Sequence, residues 1–303
     1  VADDAKDAKQ AMNAYNKVMA DSPEAIVGSF FSSVTLPMAE QASKDGMLLL
    51  ATGATNADVT LKGDTIFRNC FIDPYQGKMA ALFAKDKGFT KVAVIYAKDD
   101  DYSNGLKDAF IENCGANGIE VAYTGECMTT DTDYSSQAAQ AVASGAELLY
   151  YPCFLDTVPL LVGAARNAGF TGAIMGGDGW DGLEGYATAD QLKDSYFCAN
   201  YAKGSSPEFE DAYKAEYGED YPNGFAPLGY DAAKTVVYGV QAAEDAGLEA
   251  GTDEYKQAVN DAIASGTIEG ITGTFTFDEH HDPVKKTAIL TYVDGKPELK
   301  EMF

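Results

Sequence analysis

The chain has 303 residues, 46% hydrophobic and 23% charged, which is the composition of a globular protein long enough for two domains. Its 22 Lys and Arg against 47 Asp and Glu give a net charge of −25, so the surface repels nucleic-acid phosphates and anionic lipid heads and favours a soluble monomer. No run of 18 apolar residues occurs, so the sequence predicts no membrane insertion of this chain.

Short apolar runs alternate with helical patterns from the first residues onward. Apolar residues recur three or four positions apart in the helical patterns, beginning with Ala8, Ala11 and Tyr15. The more polar segment 65–68 is predicted to be an edge strand or a crossover. Strands are predicted, in chain order, at 25–27, 47–50, 92–96, 148–151, 173–175 and 196–199. Apolar strands alternating with helices are typical of parallel sheets covered on both faces.

The carboxyl-terminal part has a different pattern. Helices are predicted over 229–246 and 255–264. They are followed by β-rich segments at 273–277 and 287–293, and the second segment is closed by an Asp294-Gly295 turn. No linker or repeat marks a domain boundary, as expected of two α/β lobes that share several chain crossings.

The cysteines provide no metal or redox motif. The five residues are widely spaced and include no Cys-x-x-Cys pair: Cys70, Cys114, Cys127, Cys153 and Cys198. An odd number leaves at least one thiol, and one disulfide stays open. We expect these side chains to be buried as small hydrophobes.

The loops that follow the predicted strands hold the candidate site, because ligands of open parallel sheets bind at the carboxyl ends of strands. These loops contribute hydroxyls, one acid and aromatic rings, and no Lys or Arg placed to hold a phosphate. The candidates are Ser32, Ser33, Gly53, Ala54, Thr55, Tyr102, Phe154 and Asp178. Such a set suits a small zwitterion.

One of these loops places a single carboxylate on a turn built of glycines. Gly176-Gly177-Asp178-Gly179 follows the apolar run 173–175. Glycines let the chain bend sharply and let a ligand approach the backbone. A lone acid in that position suits a cation such as the ammonium of an amino acid.

The order of these segments resembles the type I periplasmic binding proteins for branched-chain amino acids. The resemblance covers essentially the whole chain and is carried by 28–33, 51–56, 67–68, 73–77, 94–96, 102–105, 133–135, 175–179, 230–232 and 273–278. It implies two flavodoxin-like (Rossmann-like) α/β lobes with parallel central sheets, joined by a three-crossover hinge. We expect residues 1–72 plus 202–277 in one lobe and 73–201 plus 278–303 in the other.

The resemblance also implies roles for the loop residues. Ser32 would donate to a ligand carboxylate, and Ser33 beside it is a further ligand-binding candidate. Thr55 would offer its N–H to the carboxylate and its hydroxyl to the ammonium. The Gly53 carbonyl and Asp178 would hold the ammonium. Ala54 lies in the same loop as Thr55. Aromatic side chains at the ligand-contacting or lid positions are Tyr102, Phe154 and Phe225, and Trp180 is a wall by its place in sequence alone.

The implied function is that of a non-enzymatic solute-binding component of an ABC transporter. Its expected partners are a free amino acid and the permease subunits, and no cofactor or metal is implied. Its expected location is extracytoplasmic, in the periplasm or on the cell surface as a lipid-anchored protein. A ligand-sensing module of the same fold, reporting to a receptor or regulator, is the alternative.

The amino terminus departs from the family pattern. Residues 1–10 resemble the end of the family's second strand and the start of its second helix. The first strand and first helix have no counterpart, so we expect a fragment of a longer protein or a separately supplied piece. Ala5 and Phe31 occupy the places of the family's amino-terminal disulfide, which is therefore not expected here.

Other interpretations of the candidate residues stay open at this point. Ser32 and Ser33 suit the cap of the helix that follows, and Thr55 suits a turn with Asn56. Asp178 suits an Asx-turn. Phe154 and Phe225 are equally suited to the core.

Enzymatic and cofactor-binding alternatives find less support. The pattern Gly-x-Gly-x-x-Gly occurs at 177–182, but the carboxylates of Asp178 and Asp181 would oppose a pyrophosphate there. No Gly-x-Ser-x-Gly occurs. The adjacent His280 and His281 would point apart on a strand, which disfavours joint metal binding.

Overall fold

The computed structural model describes all residues from Val1 to Phe303. The helices are α1 (Ala8–Met19), α2 (Ser32–Lys44), α3 (Asp73–Asp86), α4 (Asp101–Ala116), α5 (Ser135–Ala143), α6 (Val158–Asn167), α7 (Ala189–Leu192), α8 (Pro207–Tyr217), α9 (Phe225–Asp245) and α10 (Asp253–Ser265). The strands are β1 (Ile26–Val27), β2 (Leu49–Ala51), β3 (Ile66–Arg68), β4 (Lys91–Ala97), β5 (Glu120–Cys127), β6 (Leu148–Tyr150), β7 (Ala173–Gly176), β8 (Ser195–Ala199), β9 (Ile268–Gly270), β10 (Gly273–Phe277), β11 (Pro283–Val284), β12 (Ala288–Val293) and β13 (Lys296–Met302). None of the helices has both the length and the apolarity that a membrane crossing needs.

The chain divides into two compact units. The first unit contains Val1–Ile72, Gly204–Tyr221 and Phe225–Lys286. The second unit contains Asp73–Lys203, Pro222–Gly224 and Thr287–Phe303. Each unit has its own sheet and its own buried core, so each is described separately.

The first unit contains a parallel sheet in the order β1-β2-β3. Side chains alternate across it, because successive residues of a strand point to opposite faces. Leu49 and Ala51 of β2 pack with α1 and α2, whereas Leu48 and Leu50 pack with α9 and α10. The predicted edge segment 65–68 contains β3, an edge strand that is nevertheless fully buried.

A second, antiparallel sheet of the first unit has the order β11-β10-β9. Strand β11 of this sheet lies within residues 278–286, which the sequence had placed in the other lobe. These residues cluster with the first unit because Asp282 forms a buried ion pair with Arg68 and accepts a hydrogen bond from Thr60. The contact spans more than 200 positions of sequence, which no local pattern reveals.

The second unit is built on one sheet in the order β13-β12-β8-β7-β6-β4-β5. Strands β8, β7, β6, β4 and β5 are parallel, and β12 and β13 are antiparallel. Helices cover both faces: Leu149 and Ile174 face a core shared with α5 and α6, whereas Tyr150 stacks on Phe110 of α4 with ring centroids 4.0 Å apart. The predicted α/β class with parallel sheets is confirmed.

The predicted turn at Asp294-Gly295 is confirmed. Asp294 and Gly295 both have positive φ, 50° and 76°, and join β12 to β13 in an antiparallel hairpin. Strand β5 was not predicted, because it lies at an edge of the sheet with most of its side chains exposed or half-buried and so has no continuous apolar run. All five cysteines are buried free thiols, as expected of small hydrophobes.

Candidate functional site

In the first unit, two loops at the carboxyl ends of β1 and β2 come together. Ser32 opens α2, and the loop 52–57 follows β2. The Ser32 hydroxyl oxygen accepts a hydrogen bond from the Asn56 backbone N–H at 3.2 Å, and the Ser32 side chain is buried. Because the oxygen takes the Asn56 N–H, the hydroxyl hydrogen of Ser32 remains a donor for a further group.

Thr55 supplies an unpartnered hydroxyl to the same group. The residue is 0% exposed, and its Oγ1 atom has no hydrogen-bond partner. Buried polar atoms are nearly always paired, so an orphan indicates a missing partner. The turn that the sequence allowed for Thr55 belongs to Asn56, whose side-chain oxygen accepts the Asp58 N–H at 3.0 Å.

The amino terminus of α2 is not capped by a side chain. Its N-cap is Phe31, with an extended backbone and no side-chain hydrogen bond. The capping interpretation of Ser32 and Ser33 is therefore wrong, because both residues lie inside the helix. Ser33 is half-buried. The first turn of a helix leaves N–H groups without intrahelical partners, and the helix dipole favours an anion there.

Gly53 and Phe225 are connected through one aromatic ring. A Cβ atom at Gly53 would lie 2.5 Å from the Phe30 ring, so only glycine lets that ring lie against the loop. Phe30 in turn packs edge-on against Phe225, with ring centroids 4.5 Å apart. Phe225 is half-buried at the start of α9 rather than enclosed in a core.

In the second unit, Asp178 is the centre of a buried polar cluster. It follows β7 and is 2% exposed. Its Oδ1 atom accepts hydrogen bonds from the Tyr102 hydroxyl at 2.9 Å and from the Gln76 amide at 3.2 Å. Its Oδ2 atom accepts one from the Asn200 amide at 3.4 Å. The carboxylate is thus bonded to other elements and does not close an Asx-turn.

The glycines of this turn permit the cluster. The Gly179 N–H donates to the Tyr102 hydroxyl oxygen at 2.9 Å, and the Asp178 N–H donates to the Gln76 side-chain oxygen at 2.7 Å. A Cβ atom at Gly177 would lie 2.5 Å from the Tyr102 hydroxyl oxygen. Tyr102 also stacks on the half-buried Phe154, with centroids 4.5 Å apart.

Burial controls the titration of this cluster. Desolvation raises the pKa of Asp178 to about 6, although the hydrogen bonds from Tyr102 and Gln76 oppose the rise. Desolvation also raises the pKa of the nearby Asp181 to about 7. The three side chains that bond Asp178 are all uncharged, so its negative charge is compensated by dipoles alone. A cation placed beside it would stabilise the ionised form.

Trp180 is not a ligand wall. It is 0% exposed and belongs to the core of the second unit. Its indole N–H donates to the Tyr151 carbonyl oxygen at 2.9 Å. A Cβ atom at Gly176 would lie 2.0 Å from the indole nitrogen, so the ring folds back onto its own turn. Proximity in sequence to Asp178 was a misleading signal.

Sequence reasoning missed the residues that hold the candidate side chains. Gln76 and Asn200 bond Asp178, and Arg68 bonds the carbonyl of Ala54. Gln76 and Arg68 stand in segments that carry the family resemblance, but nothing in their spacing predicted a contact. The candidates themselves fall into two groups: Ser32, Ser33, Gly53, Ala54, Thr55 and Phe225 in the first unit, and Tyr102, Phe154 and Asp178 in the second. No cluster of three or more His, Cys, Asp or Glu side chains suited to a metal occurs in residues 1–303.

Comparisons with known proteins place these features in a family. The periplasmic binding protein family profile matches residues 1–297. The Leu/Ile/Val-binding protein homolog 3 of Brucella melitensis is 29% identical over 301 residues, which is 97% of this chain and 80% of that protein. The leucine-, isoleucine-, valine-, threonine-, and alanine-binding protein of Pseudomonas aeruginosa is 27% identical, over 92% of this chain and 74% of that protein.

Solved structures agree. The leucine binding protein LivK of Thermotoga maritima superposes with a TM-score of 0.90 at 25% identity, covering 99% of this chain and 85% of that one. LivJ of Streptococcus pneumoniae, solved in complex with isoleucine, superposes with a TM-score of 0.86 at 26% identity, covering 98% and 85%. The family has a solute-binding, non-enzymatic fold. The chain belongs to the periplasmic binding protein family, as a type I member of its branched-chain amino acid group.

Proposed function

We propose that this protein captures a free amino acid, branched-chain or otherwise apolar, and delivers it to the permease subunits of an ABC transporter. It acts as a monomer in the periplasm or, lipid-anchored, on the cell surface. The relatives support the ligand class, because their names describe binding proteins for leucine, isoleucine and valine. The solved relatives include complexes with isoleucine and with leucine.

The carboxylate of the ligand is held by the group in the first unit. The hydroxyl hydrogen of Ser32, the hydroxyl of Thr55 and the Thr55 N–H are its donors, and the first turn of α2, including Ser33, adds N–H groups. Several donors on one carboxylate compensate the loss of its hydration. We assign the orphaned Thr55 hydroxyl to the carboxylate rather than to the ammonium that the resemblance implies for it, because the N–H of the same residue is a donor to the carboxylate.

The ammonium of the ligand is held by Asp178, with the Gly53 carbonyl as a second acceptor. The observation that carries the proposal is a buried carboxylate whose three side-chain partners are all neutral. An ionised group at 2% exposure is stabilised most by an opposite charge, and an amino acid provides one. The Tyr102 hydroxyl holds the Asp178 carboxylate in place by donating a hydrogen bond to it.

The side chain of the ligand is surrounded by aromatic rings. Phe154 is stacked on Tyr102, and Phe225 packs against Phe30. Half-buried rings with apolar faces favour an aliphatic side chain, because covering them removes apolar surface from water. We infer that the two units close on the amino acid by a hinge motion that expels water and brings both groups onto one ligand.

A thermal-shift screen of the common amino acids followed by calorimetry tests the function. Leucine, isoleucine or valine is expected to raise the melting temperature, because a ligand that binds only the folded state stabilises it by mass action. At one hundred times Kd the gain is about 2.7 kcal/mol. A screen in which no amino acid raises the melting temperature contradicts the proposal.

A further inference from the structure

We propose that Arg68 is the positioning residue of the carboxylate-binding loop in the first unit. It would act with its counter-ion Asp282 by holding the peptide of Ala54 and Thr55 so that the Thr55 N–H faces the ligand. The inference rests on the proposed function, since it assigns what sets the affinity of that same site. Neither residue is expected to touch the ligand.

Arg68 is a fully buried cation, and both of its terminal nitrogens donate to the short segment 54–60. Its Nη1 atom donates to the carbonyl oxygens of Ala54 at 2.8 Å and of Asn56 at 2.7 Å. Its Nη2 atom donates to the Ala57 carbonyl at 3.2 Å. The Nη1 atom therefore bonds the carbonyls of the residues before and after Thr55, which fixes the backbone on both sides of Thr55. The side chain is 0% exposed.

The charge of Arg68 is balanced from a distant part of the chain. Its Nε atom lies 2.6 Å from an Asp282 oxygen. Thr60 accepts a hydrogen bond from Nη2 at 2.9 Å and donates one to the same Asp282 oxygen at 3.0 Å. Asp278 holds this counter-ion in turn, because its carboxylate accepts the Asp282 N–H at 2.9 Å. The guanidinium is thus held between backbone carbonyls of its own loop and a counter-ion from a distant part of the chain.

The planar peptide between Ala54 and Thr55 links the position of Arg68 to the direction of the Thr55 N–H. The Ala54 carbonyl and the Thr55 N–H belong to one trans peptide, so they point in opposite directions. Since Arg68 binds the carbonyl, the Thr55 N–H must face away from the guanidinium. A hydrogen bond to the carbonyl also polarises the amide and strengthens its N–H as a donor. The next peptide is fixed by Ser32, which accepts the Asn56 N–H.

The test compares two arginines that bond backbone carbonyls, the buried Arg68 and the half-buried Arg166. Arg166 in the second unit donates to the carbonyls of Phe170 at 2.9 Å and Gly172 at 2.7 Å, away from every candidate ligand residue. Lysine keeps the charge but cannot bridge two carbonyls in the same planar fork. Arg68→Lys and Arg166→Lys should therefore both lower the melting temperature. Only Arg68→Lys should weaken leucine binding, by at least tenfold on the folded protein.

A ligand analogue separates positioning from general damage. Leucinamide keeps the ammonium and the side chain but replaces the carboxylate with a neutral amide. Arg68→Lys should lower the preference for leucine over leucinamide several-fold, and Arg166→Lys should leave that preference unchanged. If Arg68→Lys does not fold, Asp282→Asn, which keeps the shape and removes the counter-charge, should weaken leucine binding at least threefold.

Two outcomes overturn the proposal. A folded Arg68→Lys, or Asp282→Asn in its place, that binds leucine within twofold of the wild type removes the positioning role. The double variant Ser32→Ala and Thr55→Val, which removes both hydroxyl donors, then distinguishes the causes. If the double variant weakens binding, the proposed function stands and only the role of Arg68 fails. If the double variant also binds normally, the carboxylate group is wrongly assigned and both proposals fail.

Discussion

The two units differ in where the buried charge lies relative to the candidate ligand residues. In the first unit the proposed ligand groups are neutral hydroxyls and peptide N–H groups, and the buried charge is Arg68, which is paired with Asp282 and bonds the loop that carries Thr55. In the second unit the buried charge is the candidate ligand group itself, Asp178, and the groups behind it are neutral. The first arrangement suits an anion and the second a cation, and these are the two charges of the ligand proposed above.

The contrast has consequences for affinity and for pH. Removing a hydroxyl from the first unit deletes one donor among several, whereas removing Asp178 leaves a buried cationic ligand without its counter-charge. The second unit should therefore give the larger mutational effect. It should also give the pH dependence, because among the proposed ligand groups Asp178 has a raised pKa of about 6.

Asp178→Ala is the change with the largest expected effect. It should weaken leucine binding at least tenfold and about a hundredfold or more if the full cost of breaking a buried charge pair, about 3 kcal/mol, is lost. Calorimetry on the folded variant is the measurement. Glu147→Ala is the control, because that carboxylate accepts the N–H groups of Thr90 and Lys91 far from the candidate residues. Equal affinities for the two variants would contradict the ammonium-binding role of Asp178.

Ser32→Ala tests the first unit. The variant loses a donor to the ligand carboxylate and the acceptor of the Asn56 N–H, so leucine should bind about tenfold more weakly. Ser144→Ala is the matched control, because Ser144 also accepts a backbone N–H, from Ala146 at 3.3 Å. Calorimetry should find normal affinity for the control. A Ser32→Ala variant as tight as the control would leave the first unit without a carboxylate group.

The pH dependence of binding tests the second unit. Burial raises the pKa of Asp178 to about 6, so the carboxyl is ionised at pH 7.5 and mostly protonated at pH 5. The ammonium binds the ionised form, so affinity is full above the pKa and falls as the pH drops through it. Leucine should bind about tenfold more weakly at pH 5 than at pH 7.5. The same titration of Asp178→Asn should be nearly flat; a wild type without this loss would contradict the role.

Gly179→Ala has the smallest expected effect, and it acts on the packing behind Asp178. The added Cβ would lie 2.9 Å from both the Cys153 carbonyl oxygen and the Phe154 ring. Overpacking of this kind costs about 1–3 kcal/mol of unfolding free energy, which thermal denaturation can measure. Gly115→Ala is the control, because nothing lies within 4 Å of its added Cβ in α4, and it should be neutral or stabilising. Equal melting temperatures would mean that the turn tolerates side chains.

The sequence predicted the parts of the fold that depend on local pattern. The apolar strands β4, β6 and β7 and the Asp294-Gly295 hairpin turn follow from periodicity and turn chemistry. It failed where pairing decides the structure: β5 is a half-exposed edge strand, and residues 278–286 join the first unit through Arg68. A contact between positions 68 and 282 depends on the folded chain as a whole.

For the candidate site, the sequence predicted which residues to consider but not the contacts that hold them. Loops after parallel strands pointed to Ser32, Thr55 and Asp178, because the carboxyl ends of such strands gather at one edge. The structure gives each of these a partner or an orphaned atom that the sequence could not specify. Trp180 shows that closeness in sequence to Asp178 does not predict a ligand contact, because its turn folds the ring into the core.

The most direct test of the zwitterion account is calorimetry of Asp178→Asn with two ligands. Leucine and 4-methylpentanoate share the side chain and the carboxylate, and only leucine carries the ammonium. The account predicts that the wild type prefers leucine by at least tenfold and that Asp178→Asn abolishes this preference. An Asp178→Asn protein that still prefers leucine by the wild-type factor would contradict the account, because the ammonium would then be held by another group.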